Sequence, residues 1–115
     1  MHDIVFMKTL EFDGKTWKPF KPITVGAVTV GTSDTTVYDV PTGEIAVVDL
    51  IIRNPNAAAE TVTIKDGTST ILTVDLDANE TKTITGLVFS DSIVAAAGTT
   101  SAEITVKGKV SVSLD

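Results

Sequence analysis

The chain has 115 residues, a usual size for one domain with one hydrophobic core, and 43% of them are hydrophobic. A formal net charge of −6 argues against a nucleic-acid partner, and the absence of cysteine excludes disulfides and thiolate sites within this sequence. No apolar run approaches the roughly 18 residues of a membrane helix, and nothing after Met1 resembles a signal peptide. We therefore expect a soluble protein with no membrane partner, whose mature form begins where the sequence does.

The first 22 residues, here called the N-terminal arm, differ in composition from the rest. Residues 1–21 carry four lysines against three acidic residues, a balance of +1 that leaves −7 for residues 22–115. Most of the aromatic side chains also lie in the arm: Phe6, Phe12, Trp17 and Phe20. Asp13-Gly14 is a turn signal, so residues 6–12 and 15–20 are predicted to form a small hairpin.

The next segments are rich in β-branched residues, which favour strands. Strands are predicted over 23–30, 35–40 and 45–53. The last of these is apolar on both faces except at Asp49 and Arg53, a pattern typical of a central strand covered on both sides. Because Arg53 is the only arginine and lies on the same face, we expect it to pair with Asp49 in a structural ion pair.

Residues 60–65 and 69–76 alternate between polar and apolar side chains, and Asp66-Gly67 between them predicts a tight hairpin turn. Further strands are predicted over 81–87, 91–95 and 102–114, the last with Gly108 at a bulge or a close backbone contact. Residues 56–60 and 94–97 favour helix but are too short to form one alone. The fold class is therefore all-β: a two-sheet antiparallel sandwich, jelly-roll-like, of about eight strands over 23–115, preceded by the arm at 1–22.

Residues that carry out catalysis are scarce. The single histidine, His2, lies at the terminus, and no glycine-rich phosphate loop is present. Asp75 and Asp77 project to one face and could form a calcium or glycosidase pair, but a solvated strand end is the simpler interpretation. We expect no catalytic residues, no metal, no cofactor and no enzyme activity.

Three short strings resemble those of tailed-bacteriophage virion proteins. Asp13-Gly14-x-x-Trp17-Lys18-Pro19 looks like "DG…W-K-P" segments of phage tail and virion proteins. Residues 40–48, with Asn54 beyond them, are similar to a "VPAG…" entry to an inner strand in small β-sandwich virion proteins. Residues 87–93 match their "…L…GDSI…" segment, with Ser90 where glycine is common. The resemblance spans about residues 12–112 and implies a capsid decoration or tail component.

The leading hypothesis is a virion structural protein that assembles as a homo-oligomer and contacts a major capsid or tail protein. Its interface is predicted at the arm's aromatic residues: Phe6, Phe12, Trp17 and Phe20. Large rings contribute most per residue at interfaces, although the same rings could cover the chain's own sandwich. The alternative is a module that recognises a host-surface glycan or receptor through the loops 54–59 and 95–101.

Overall fold

The structure, a computed structural model, describes residues 10–12 and 17–111, with side chains from residue 20 onward. The strands are β1 (Leu10–Phe12), β2 (Trp17–Val30), β3 (Thr35–Asp39), β4 (Ala46–Arg53), β5 (Glu60–Asp66), β6 (Ser69–Leu76), β7 (Thr81–Phe89), β8 (Ser92–Ala97) and β9 (Ala102–Ser111). The described residues contain no helix, so 56–60 and 94–97 are not helical, and none of these residues belongs to a helix that could cross a membrane.

The strands pair antiparallel in a nested pattern. β5 pairs with β6, β4 with β7, β3 with β8 and β2 with β9, so each outer pair encloses the next. This nesting gives two sheets, of order β1-β2-β9-β4-β7 (the first sheet) and β3-β8-β5-β6 (the second sheet). Nested pairs shared between two sheets are the arrangement of a jelly roll. The predicted all-β sandwich is confirmed.

The core lies between the sheets and follows the alternation of each strand. In β4 the even-numbered residues are buried and the odd-numbered ones are partly or fully exposed. The same parity in β9 places Ile104, Val106 and Val110 inside. Gly108 shares this inner face, where an added Cβ would overlap the Val47 carbonyl oxygen and lie 2.6 Å from the Val48 Cα. The predicted close backbone contact at Gly108 is confirmed.

The sandwich has two ends, which differ in their loops. At the arm end lie the start of β4, the last residues of β9, the turn between β5 and β6, and the loop 90–91. At the loop end lie the connections 54–59, 77–80 and 98–101. β2 enters at the arm end and runs unbroken past residue 22, across the boundary predicted between the arm and the sandwich.

The predicted environment of β4 is wrong in two respects. Its odd-numbered face is only partly covered by the described residues: Ile45, just before the strand, is 46% exposed, and Val47 and Ile51 are partly exposed. Asp49 is exposed and does not pair with Arg53. Arg53 instead forms an ion pair with Glu103, its register partner on β9 (3.2 Å). Asp49 and Arg53 are four residues apart, which on a strand is about 13 Å, whereas the partner directly opposite on the next strand is only about 5 Å away.

Asp49 instead stabilises an irregularity in β7. Its Oδ1 accepts a hydrogen bond from the Gly86 backbone N–H (3.0 Å), where the β4–β7 register shifts. Gly86 has a φ of 72°, a conformation that suits glycine at a bulge. The carboxylate thus satisfies a backbone donor that the ladder leaves unpaired.

Candidate assembly surface

The four aromatic residues predicted at the interface occupy different places. Phe6 lies outside the described residues. Phe12 ends β1 and is the register partner of Trp17, the first residue of β2. Phe20 lies farther along β2, partly buried, with the Lys109 ammonium 5.0 Å from the centre of its ring. Phe20 therefore packs on its own domain, at a distance suited to a cation–π contact.

Phe12 and Trp17 belong to a hairpin that extends beyond the sandwich. β1 pairs with residues 17–19 of β2, from Leu10↔Pro19 to Phe12↔Trp17. The described pairing of β2 with β9 begins only at Phe20↔Ser111. We call β1 together with residues 17–19 the aromatic hairpin. Its three residue pairs continue the first sheet by roughly 10 Å past the last described β2–β9 pair.

Beside this hairpin, the outer face of the first sheet carries apolar side chains. Val47 and Val88 are register partners on β4 and β7, and Val88 is 56% exposed. Phe20 and Ile45 lie in the adjoining row, on either side of Ser111. We call Phe20, Ile45, Val47 and Val88 the outer patch. Exposed apolar residues grouped on one face mark interaction sites more often than scattered ones do.

Backbone and side-chain hydrogen bonds hold the outer patch in place. The Ile45 N–H donates to Ser111 Oγ, and the Ser111 N–H donates to the Ile45 carbonyl, both at 2.9 Å. This exchange fixes the residue before β4 against the end of β9. The patch is therefore built on paired strands rather than on a free loop.

The second sheet also has an apolar residue on its outer face, Val94, but unlike Val88 this residue is covered. Val94 on β8 is only 6% exposed, although it faces outward beside Lys65 of β5. The Lys65 ammonium reaches Asp34 at 2.8 Å, at the start of β3 on the other side of β8. The ion pair thus passes over Val94 and shields it, a protection that no described residue gives Val88.

Asp66 ties two turns together at the arm end. Its carboxylate accepts the backbone N–H groups of Ser90 (3.2 Å), Asp91 (2.9 Å) and Ser92 (3.3 Å). Gly67 follows with a φ of 62°, so the predicted Asp66-Gly67 hairpin turn is confirmed. The turn leading into β8 is therefore fixed to the end of β5.

At the loop end, the buried Asn54 and its neighbour Asn56 together join three connections. The Asn54 Nδ2 donates to the carbonyls of Ala58 (2.8 Å) and Asp77 (3.0 Å), while its Oδ1 accepts the Asn56 N–H and Nδ2. Asn56 Nδ2 also donates to the Ser101 carbonyl at 2.9 Å. The loop 54–59, proposed for glycan or receptor recognition, is consequently pinned at several points.

The second loop proposed for glycan or receptor recognition, residues 95–101, is held by hydrogen bonds to Glu60. Residues 95–97 belong to β8, so the loop begins at residue 98. Burial by itself raises the pKa of the Glu60 carboxyl, but hydrogen bonds from Thr99, Thr100 and Thr61 outweigh it, and the pKa is lowered from 4.5. A charged carboxylate is therefore the form that orders this loop.

Of the two carboxylates considered for catalysis, that of Asp75 has a hydrogen-bond partner, whereas Asp77 is bonded through its backbone. Asp75 accepts a hydrogen bond from the Thr61 hydroxyl (2.9 Å), and the Asp77 backbone N–H donates to Glu80 in a turn (2.8 Å). Among the described residues, no three His, Cys, Asp or Glu side chains are grouped to hold a metal ion. His2 lies outside the described residues.

Three members of the outer patch were missed by sequence reasoning: Ile45, Val47 and Val88. For Ile45 and Val47 the available signal is the doubly apolar pattern of residues 45–53, which predicts burial on both faces, whereas Val88 lies outside that segment. A strand can show that pattern when its second face is covered by its own domain or when it is left for a partner, and sequence alone does not separate the two cases.

No protein-family model matches this chain, and no curated protein matches it. Among solved structures, it resembles a subunit of Bacillus endospore appendages, described as a novel family of disulfide-linked pili. The match has a TM-score of 0.56 and covers 90% of this chain and 98% of that one, at 12% sequence identity. At that identity the similarity establishes a shared fold.

Proposed function

We propose that this chain is a structural subunit that assembles with copies of itself through non-covalent contacts. The aromatic hairpin carries the proposal, because it extends the first sheet past the sandwich and places Phe12 and Trp17 beyond the last described β2–β9 pair. Burying one large ring contributes about 1.5–3 kcal/mol before ordering costs. Repetition of such a contact around a ring or along a filament gives multivalent attachment.

The likeness to an appendage subunit is compatible with this role, with one chemical difference. The neighbour's pili are described as disulfide-linked, whereas these 115 residues contain no cysteine. Any assembly built by this sequence therefore relies on apolar and polar contacts between subunits. We expect reducing agents to leave it intact and denaturants to dissociate it.

The setting we propose is a tailed-phage virion, where the subunit would be made in the host cytoplasm and would contact a major capsid or tail protein. The short strings at 13–19, 40–48 and 87–93 favour this setting, and a surface appendage is the rival that the fold suggests. The genes beside its own distinguish them: a capsid or tail-tube gene supports the virion, and appendage genes contradict it.

Self-assembly is tested by sedimentation velocity and negative-stain electron microscopy of the full chain over a wide concentration range. We expect a concentration-dependent oligomer that is unchanged by reductant and appears as closed rings or open filaments. A protein that stays monomeric at every concentration, with no particle in the micrographs, would contradict the proposal.

A further inference from the structure

The sandwich has an open side where β6 and β7 lie. β6 is the last strand of the second sheet and β7 is the last strand of the first, and the short connection 77–80 joins them. In the described part of the chain, no further strand covers either of these two edges. The free edge of a terminal strand presents backbone N–H and C=O groups to any strand of another chain. This side therefore needs protection against pairing with other copies.

The composition of β6 makes it prone to such pairing. Residues 69–74 contain no charged residue and no proline, and Ile71 among them is 41% exposed. Short uncharged segments rich in β-branched residues are the ones that self-associate through cross-strand pairing. The register against β5 leaves Ile71 as an extra residue, a bulge that protects the end of β6 near the turn. Residues 72–76 pair with β5 without interruption, so the bulge does not protect them.

Lys82 of β7 extends to this regular part of β6. Its Nζ donates a hydrogen bond to the backbone carbonyl of Asp75 at 2.6 Å. Lys82 is the register partner of the buried Ile52, so it occupies an inner-face position on an edge strand. A lysine in such a position opposes edge pairing, because a strand added there would bury its charge. The Asp75 carboxylate, the one other charge nearby on β6, accepts the Thr61 hydroxyl of β5.

The other edges of the two sheets carry protective features of their own. β7 is interrupted by the irregularity at Gly86. β3 is only five residues long and has a register shift. β2 contains Pro19 and Pro22, which have no backbone N–H to donate. Residues 72–76 of β6 have none of these features, so the contact from Lys82 is what distinguishes their edge from an unprotected one.

We propose that Lys82 is a gatekeeper, a residue that prevents β6 of one copy from pairing with β6 of another. An antiparallel alignment of two copies centred on Val74 places Leu72 opposite Leu76 and Thr73 opposite Asp75, so that no like charges face each other. The segment is thus compatible with itself, and the Lys82 ammonium is the obstacle. This role is independent of assembly through the arm, since it restricts contacts between copies to surfaces other than this edge.

The substitution Lys82→Met removes the charge and the hydrogen bond but keeps an unbranched side chain of similar length. The full-length variant and the wild type are incubated at equal concentration, well below the unfolding temperature, and followed by thioflavin T fluorescence and pelleting. We expect at least about fivefold more pelleted, thioflavin-positive protein for Lys82→Met. Lys107→Met is the matched control, because Lys107 is also exposed but lies on β9, between β2 and β4. It should stay within about twofold of the wild type.

A second pair of variants identifies the strand. Added to Lys82→Met, Thr73→Lys on β6 should return aggregation to within about twofold of the wild type, whereas Thr83→Lys on β7 should leave most of it. Both threonines are exposed, and both substitutions restore the lost charge.

Three results would overturn the proposal. The first is equal aggregation of Lys82→Met and Lys107→Met, or no increase for Lys82→Met. The second is equal rescue by Thr73→Lys and Thr83→Lys. The third is aggregation that follows the free energy of urea unfolding across the variants and not the strand that carries the lysine.

Discussion

The Glu60 carboxylate accepts the backbone N–H groups of both Thr99 and Thr100 at 2.8 Å, and so joins the first residue of β5 to the loop between β8 and β9. The Thr99 hydroxyl adds a third bond at 3.0 Å. Glu60 is only 4% exposed, so these donors replace the water that the charge gives up. Glu60 and Asn54 together link the connections at the loop end by hydrogen bonds.

Acid should weaken the hydrogen bonds that the Glu60 carboxylate accepts. Because the folded-state pKa of Glu60 lies below 4.5, its contribution to the free energy of unfolding is fully present above that pH. The contribution is lost as the pH falls through the lowered pKa of the folded state. We expect urea unfolding to show a decline in stability below about pH 4.5, part of which belongs to Glu60.

The Glu60→Gln substitution isolates the contribution of the Glu60 charge to the free energy of unfolding. The amide keeps one acceptor oxygen but turns an NH₂ group toward backbone donors, so we expect a loss of about 1–3 kcal/mol at pH 7. The difference between the variant and the wild type should shrink as the pH falls below 4.5. A difference that stays constant across the acid range would show that the charge of Glu60 does not matter.

Asn54→Ala should be among the most damaging substitutions of a polar residue. It removes both donors to the carbonyls of Ala58 and Asp77 and the acceptor used by Asn56, inside a fully buried site. We expect a cost of about 2–4 kcal/mol in urea unfolding. Asn79→Gly, at an exposed residue of the same end with a φ of 58°, should be neutral within about 0.5 kcal/mol.

Gly108→Ala tests the contact between β9 and β4. The new methyl group would overlap the backbone at Val47 and Val48, which cannot move without disturbing two ladders. We expect destabilisation of at least about 2 kcal/mol. Gly31→Ala, where an added Cβ meets nothing within 4 Å, should be neutral or slightly stabilising. Similar effects at the two glycines would contradict this description.

A double-mutant cycle distinguishes the two possible partners of Arg53. The Asp49→Ala/Arg53→Ala pair should show a coupling within about 0.3 kcal/mol of zero, since the residues do not touch. The Arg53→Ala/Glu103→Ala pair should show about 0.2–1 kcal/mol, the range of exposed ion pairs. Asp49→Ala alone should cost about 1 kcal/mol, through the hydrogen bond to Gly86.

The strands and their inner faces were predictable because each carries its own local signal. The period-two alternation around Ile104 and Val106 and the Asp66-Gly67 turn depend on neighbours along the chain. Gly108 is noticeable because it takes an apolar position in that alternation. Burial of these residues follows from their parity alone. The all-β sandwich could therefore be stated before the pairing order was known.

Long-range partners were not predictable in the same way. Arg53 pairs with Glu103, which is 50 residues away in sequence, and Glu60 bonds Thr99 from 39 residues away. These contacts depend on strand order and register, which the alternation does not encode. The exposure of Val88 has the same origin, because it depends on which face of the first sheet is left without a covering layer.

The central claim, assembly through the N-terminal arm, is tested most directly by deleting residues 1–19. The deletion stops before Phe20, which pairs with Ser111 and belongs to the sandwich. Circular dichroism should show the β spectrum retained, while sedimentation velocity should show a monomer where the full chain is oligomeric. Identical sedimentation of the truncated and full chains, with both folded, would contradict the account.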